Sequence, residues 1–286
     1  MKLRFAKMHG LGNDFMVLDL VSQSYLPSAG QIARWSDRHT GVGFDQLLIV
    51  APPEDPDADF RYVIFNADGS EAEQCGNGAR CVARLVAHCG LSVKTTLTFQ
   101  TINGQIETRR LPDGQVEVDM GVPRLNAAAI PCDESRAESS RAVGDGTAYR
   151  ISGGAGEAYE LTVVSMGNPH GVIRVDDITV APVLEVGGRL TDHPFFPERA
   201  NIGFYQVVDP GFIRVRVFER GVGETRACGT GACAAVVAGR LAGLLDERVK
   251  VSLPGGKARV RWQGPDSTVR MTGPATLVYE GEIAAD

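Results

Sequence analysis

The sequence predicts an α/β (α+β) protein made of two similar halves, each holding several strands around one helix. Three observations carry this. Short apolar runs separated by turn residues recur along most of the 286 residues, as strands do. Two longer stretches, each beginning Cys-Gly-x-Gly-Ala, read instead as helices. Those stretches also align on each other: residues 65–91 slid onto 218–244 without a gap match at Phe65/Phe218, Glu71/Glu224, Cys75/Cys228, Gly76/Gly229, Gly78/Gly231, Ala79/Ala232, Gly90/Gly243 and Leu91/Leu244. Gly12-Asn13 pairs with Gly167-Asn168 at nearly the same offset. Self-similarity of this kind marks a duplicated architecture.

In chain order, Phe15 to Leu20, Leu47 to Val50 and Phe60 to Asn66 read as strands, and Ser28-x-x-Gln31 as a capping box opening a short helix through Arg38. After Cys75, the residues Ala79, Val82, Val86 and Cys89 fall at helical spacing, and Gly90 stands where a C-cap glycine belongs. Residues 93–122 return to strands, broken at Asn103-Gly104 and Pro112-Asp113-Gly114. From Arg124 to Tyr159, Ala, Ser and Gly dominate with little periodicity, which predicts a connection with at most one short strand near Ile130. Strands resume at Leu161 to Ser165, Val172 to Val175, Phe204 to Val208 and Phe212 to Phe218. In the last of these Ile213, Val215 and Val217 alternate with Arg214 and Arg216, so one face is buried. A helix over Gly229 to Leu241 precedes strands near 249–253, 258–262, 268–271 and 276–280.

Composition narrows the function classes. Hydrophobic residues at 43% and charged residues at 22% are those of a folded globular chain. The longest apolar run, Ala232 to Ala238, is far short of the roughly 20 residues of a membrane span. Lys2, Arg4 and Lys7 have no apolar stretch behind them, so no signal peptide is expected and a cytoplasmic location is. A net charge of −6 without a basic stripe excludes nucleic acid as the expected partner. Six cysteines are too few for a disulfide scaffold.

Chemistry concentrates at the repeat. Cys75 and Cys228 each stand immediately before a helix start, where unpaired N–H groups and the macrodipole favour a thiolate and lower its pKa from about 8.5 toward about 3.5–7.5. Such a cysteine is a candidate base, and the glycines beside it let backbone N–H groups approach a ligand carboxylate. Duplicated about a pseudo-twofold axis, the device would aim two cysteines at one carbon from opposite faces, which suits inversion of a stereocentre. A buried small residue in a tight turn is the plain alternative for one such cysteine; the repetition argues against it for two. The spacings Cys75 to Cys81 and Cys228 to Cys233 do not fit zinc knuckles. Gly229-x-Gly231-x-x-Ala234 is a permissible dinucleotide fingerprint, but the polar loop Glu219 to Ala227 stands where a strand should lead into it. Cys81, Cys89 and Cys233 read as core or helix-face residues, and Cys132 has no identifiable partner.

Eight segments resemble the diaminopimelate epimerase family. In the first half they are His9-Gly-Leu-Gly-Asn-Asp-Phe15, Gly41-Val-Gly-Phe-Asp-Gln46, Phe65-Asn-Ala-Asp-Gly-Ser70 and Gln74-Cys-Gly-Asn-Gly-Ala-Arg80. In the second they are Met166-Gly-Asn-Pro-His170, Glu198-Arg-Ala-Asn-Ile-Gly203, Glu219-Arg-Gly-Val-Gly-Glu-Thr225 and Ala227-Cys-Gly-Thr-Gly-Ala232. Only residues 124–160 lack such a signature. The resemblance implies two pseudo-symmetric domains, each a curved mixed or antiparallel sheet wrapped around a central helix: residues 1–122 plus 274–286, and 123–273, with the active site in the cleft between them. It implies reversible epimerisation of LL-2,6-diaminopimelate to the meso form, in lysine and peptidoglycan precursor synthesis, without pyridoxal phosphate, metal or nucleotide.

By the same resemblance Cys75 and Cys228 are the catalytic thiolate and thiol, and His170 and Glu219 tune their protonation. Asn13, Gln46, Asn66, Asn168, Asn201, Glu219 and Arg220 match substrate-binding positions, and Gly76, Asn77, Gly229 and Thr230 match the carboxylate cradles. Asn77 separates the chain from proline and hydroxyproline racemases, which carry His there. Thr230 replaces the family's common serine and keeps its hydroxyl. A homodimer is implied, with Tyr279 at a dimer position. Gly171 after His170 is an uncommon choice that the pattern leaves unexplained.

Overall fold

The structure, a computed structural model, describes residues 2–72, 75–154 and 156–285. Gln74, which opens the motif before the first cysteine, lies outside the described residues. The chain divides into two compact units, Met1–Asp119 with Thr272–Asp286, and Met120–Met271.

The first unit holds β1 (Lys2–Gly10), β2 (Asn13–Asp19), α1 (Ala29–Ser36), β3 (Gln46–Ala51), β4 (Phe60–Asn66), β5 (Glu71–Ala72), α2 (Gly76–His88), β6 (Thr96–Thr101), β7 (Gly104–Arg110) and β8 (Val116–Asp119). In the second follow β9 (Ser139–Val143), β10 (Gly146–Gly154), β11 (Glu157–Ser165), β12 (Pro169–Arg174), α3 (Val183–Thr191), β13 (Asn201–Asp209), β14 (Phe212–Glu219), β15 (Gly223–Glu224), α4 (Gly229–Leu241), β16 (Arg248–Leu253) and β17 (Gly256–Arg261). The chain then runs through β18 (Arg270–Gly273) to β19 (Thr276–Ala284). That last strand returns to the first unit and lies antiparallel to β1, Lys2 opposite Ala284.

Strand pairing repeats with an offset of ten. β1 is antiparallel to β2, β2 parallel to β3, β3 antiparallel to β4, β4 antiparallel to β5 and parallel to β6, and β6 antiparallel to β7. β11 to β17 pair in the same order and the same senses. Within the first unit α2 packs on β1, β2, β3, β7, β8 and β19; within the second α4 packs on β11 to β14, β16 and β17. Surrounded in this way, α2 buries Ala79, Val82 and Val86, and α4 buries every residue from Gly231 to Gly239. Cys81 and Cys233 are core residues, whereas Cys89 at the α2 C-cap is exposed.

Three segments differ from expectation. Residues 124–159 are not a bare connection: they form two 3-10 turns, Ala127–Ala129 and Glu134–Arg136, the strands β9 and β10, and the start of β11. Only Tyr149 and Ile151 mark the buried face of β10 with large side chains, and Gly153 leaves the space that the Tyr159 ring takes, so the alternation is hard to read. The helix α3 falls where the sequence gives no helical signal, because Gly187-Gly188 weakens its propensity, by about 1 kcal/mol per glycine. Packing explains one of them, since a Cβ at Gly187 would stand 2.5 Å from Phe218 Cβ on β14. The third is α1, which starts with both halves of the capping box in place but ends at Ser36, releasing Arg38 into a turn. Gly171 also gains a reason: a Cβ there would meet Phe196 at 3.0 Å and Ile202 at 3.2 Å.

Candidate active site

In the first unit, Cys75 is the N-cap of α2, in extended conformation (φ −145°, ψ 103°), and its Sγ accepts the Gly78 N–H at 3.3 Å. Glycine is required at 78, because a Cβ would overlap the Tyr62 hydroxyl; that hydroxyl donates to the Cys75 carbonyl at 3.3 Å. Asn13, the first residue of β2, brings Oδ1 to 3.7 Å from Cys75 Sγ and accepts there from Asn77 Nδ2 at 3.3 Å. Asn77 Oδ1 in turn accepts from Arg80 Nη2 at 2.6 Å, and both residues are buried. Gln46 and Asn66 are opposite one another on β3 and β4, with Gln46 Nε2 donating to Asn66 Oδ1 at 3.1 Å. Gly76, the first residue of α2, is buried.

A charged network that the sequence motifs do not announce stands behind Asn13. Asp45 accepts from Asn13 Nδ2 at 2.9 Å, and Arg38 bridges Asp45 at 2.7 Å and Asp14 at 2.8 Å. Lys7 closes the network on Asp14 at 2.5 Å. Burial alone would raise the Asp14 carboxyl, but hydrogen bonds from Arg38 and Lys7 outweigh it and hold the group at about 2. Asp45 lies within the motif ending at Gln46 and could have been read from it. Arg38 carried no sequence signal, because only the fold brings it to Asp45.

In the second unit, Cys228 is the N-cap of α4 (φ −92°, ψ 109°) and is buried. Its Sγ lies 3.6 Å from Thr230 Oγ1, which is 3.5 Å from Asn168 Nδ2. Asn168 Oδ1 faces His170 Nε2 at 3.0 Å. His170 is beside Asn201 in the β12–β13 register, and Asn201 Oδ1 accepts the Arg220 backbone N–H at 2.8 Å. Arg220 sends Nη1 to the Glu198 carbonyl at 2.8 Å, and the Thr225 hydroxyl donates to Glu219 Oε1. Gly229 is buried at the start of α4.

Electrostatics in this unit correct one expectation. Burial pushes the Cys228 thiol well above its ordinary value, and the Glu219 charge pushes it further; the Thr230 hydroxyl and Gly231 N–H pull it down without prevailing. The helix start therefore does not make Cys228 a resting thiolate. Burial, followed by the Arg220 charge, pushes His170 down to about 3, so its imidazole is neutral at pH 7. Nε2–H then donates to Asn168 Oδ1, and the buried Nδ1 has no hydrogen-bond partner among the described residues.

The structure thus gathers Asn13, Cys75 and Asn77 in one unit, with Gln46 beside Asn66, and Cys228, Thr230, Asn168 and His170 in the other, with Asn201 beside Arg220. Tyr279 stands on β19, 45% exposed, its ring edge-on to Phe5 at 6.0 Å. Among the described residues no group of three or more His, Cys, Asp or Glu could hold a metal ion, and no helix is long and apolar enough to cross a membrane.

The family model for diaminopimelate epimerase matches residues 5–126 and 162–278; the unmatched interval holds β9 and β10. A protein named diaminopimelate epimerase from Pseudomonas paraeruginosa is 57% identical over 283 residues, covering 99% of each chain. Proteins of the same name from Azotobacter vinelandii and Stutzerimonas stutzeri are 55% and 54% identical with the same coverage. Among solved structures, a probable proline racemase from Agrobacterium radiobacter K84 superposes with a TM-score of 0.72 at 17% identity, over 99% of this chain and 93% of that one. A phenazine biosynthesis protein from Bacillus anthracis gives 0.68 at 18% identity, over 99% of both chains. These two share the fold.

Proposed function

Because the chain belongs to the diaminopimelate epimerase family, we propose that it interconverts LL-2,6-diaminopimelate and meso-2,6-diaminopimelate, with Cys75 and Cys228 as its two proton-transfer groups. One observation carries the assignment: each copy of the duplicated architecture places a cysteine as the N-cap of its central helix. One thiolate removes the α-proton, leaving the electron pair on the carbon and its carboxylate, and the other thiol delivers a proton to the opposite face. Afterwards the two sulfurs have exchanged protonation states, so the reverse reaction uses the same groups in opposite roles.

The two cysteines differ in a way that suits this division. Cys228 is held as a thiol by burial and by Glu219. Cys75 receives the Gly78 N–H as Cys228 receives that of Gly231, but Cys75 is only half-buried, so its thiolate is less desolvated. An α-proton beside a carboxylate is very weakly acidic, and enzymes lower such barriers by about 8–23 kcal/mol. The backbone N–H groups of Gly76, Asn77, Gly229 and Thr230, at two helix starts, are the groups that would stabilise the carboxylate's developing charge. Gln46, Asn66, Asn168, Asn201 and Arg220 would hold the rest of the substrate, the guanidinium taking the distal carboxylate. The reading needs no pyridoxal phosphate, metal or nucleotide. It includes a homodimer, supported by exposed Val278 and Tyr279 on β19, and a cytoplasmic location, supported by six free cysteines.

A chiral assay with LL-diaminopimelate and no added cofactor tests the proposal. The meso isomer should form, insensitive to chelator, and Cys75→Ala and Cys228→Ala should each abolish its formation while remaining folded by circular dichroism. Near wild-type turnover in either variant would overturn the two-cysteine assignment.

A further inference from the structure

An asparagine side chain has one accepting and one donating end, and the structure fixes which end of Asn13 meets Cys75. Asp45 Oδ2 accepts from Asn13 Nδ2 at 2.9 Å and from the Asp14 N–H at 3.1 Å, while Oδ1 accepts from Arg38 Nη2 at 2.7 Å. A carboxylate can only accept, so it takes the NH2 end of the amide. On the other side, Arg80 donates from Nη2 to Asn77 Oδ1, and a guanidinium can only donate. Asn77 must therefore offer its own NH2 to Asn13 Oδ1. The row Asp45, Asn13, Asn77, Arg80 is locked in polarity at both ends. Position as well as polarity is set, because the Asp45 N–H donates to the Asp14 carbonyl at 2.9 Å where β3 begins its parallel run beside β2.

We propose that Asp45 is a positioning residue for the epimerisation, acting through Asn13 to present an amide oxygen to the Cys75 sulfur. Cys75 Sγ then stands between an acceptor, Asn13 Oδ1 at 3.7 Å, and a donor, Gly78 N–H at 3.3 Å. A thiol donates to the first and a thiolate accepts from the second, so both states that a proton shuttle must visit are served. Were the amide reversed, both neighbours would donate, the thiolate would be favoured throughout, and Cys75 would take up a proton poorly. The inference rests on the reading of Cys75 as a proton-transfer group.

Asp45→Asn in the full-length enzyme tests it, since an amide at 45 can accept or donate and removes the stronger, charged lock on Asn13, leaving only the 3.3 Å bond from Asn77. Two readouts are taken: the rate of Cys75 alkylation by iodoacetamide at pH 7, resolved by peptide mass spectrometry, and kcat and KM with LL-diaminopimelate. We expect Cys75 to be alkylated several-fold faster, Cys228 unchanged, and kcat lower by about tenfold with little change in KM, the scale of one displaced hydrogen bond at a reacting group. Arg38→Gln, which keeps the Asp45 carboxylate while removing the guanidinium that pairs with both Asp45 and Asp14, should move both readouts the same way by less, and carries the test should Asp45→Asn not fold. Unaltered alkylation of Cys75 overturns the proposal. Faster alkylation with undiminished turnover also overturns it, since the amide lock would then have no part in the epimerisation; the catalytic assignment of Cys75 is decided separately by Cys75→Ala.

Discussion

His170 illustrates how burial decides what a side chain can do. Its position in Met166-Gly-Asn-Pro-His170 was legible; its charge was not, because the enclosure that pushes it down to about 3 is assembled from distant segments. Between that value and the unfolded value of about 6.5, the unfolded chain binds a proton that the folded one refuses, so stability rises with pH through this window. Lowering the pH from 7 to 5 should cost about 2 kcal/mol through this residue. His170→Gln should lose that part of the pH dependence, as measured by urea unfolding at the two pH values. If the variant keeps the wild-type difference, His170 is not a buried neutral imidazole. The same limit applied to Cys228, whose repeated motif identified it as a candidate while its protonation depended on burial and on Glu219.

Elements were legible where one local rule governs them. β4 and α4 fall at the residues expected, Phe60–Asn66 and Gly229–Leu241, and the Ser28 capping box opens α1. They were illegible where tertiary packing overrides propensity, as in α3, whose Gly187 exists to let Phe218 approach. The same principle makes glycine substitutions diagnostic. At Gly231, three residues after Cys228, a Cβ would meet Val217 at 2.8 Å and the Cys228 sulfur at 3.2 Å. Gly231→Ala should destabilise the protein by about 1–3 kcal/mol. Gly30→Ala, in α1 where nothing lies within 4 Å, should stabilise it by about 0.4–1 kcal/mol. Thermal denaturation of both variants checks the pair; shifts of the same sign would remove the packing argument for α4.

The duplication was visible in eight aligned identities and is stronger in the strand pairing, which repeats from β1–β7 to β11–β17 although most of the side chains differ. If each copy supplies one proton-transfer group, the proton taken by one cysteine is not the proton given by the other. In D₂O the first product should carry deuterium at the inverted carbon while recovered substrate stays nearly unlabelled, as read by mass spectrometry at low conversion. Product retaining its original hydrogen would rule out two separate bases. The β1–β19 ladder has a further consequence, for biosynthesis. Strand β1 finds one neighbour, β2, at once but waits for the other, β19, some 280 residues away, whereas β9 to β17 find the neighbours described for them within Met120–Met271. On the ribosome the second copy can therefore close its ladders while the first, although made earlier, still lacks an edge.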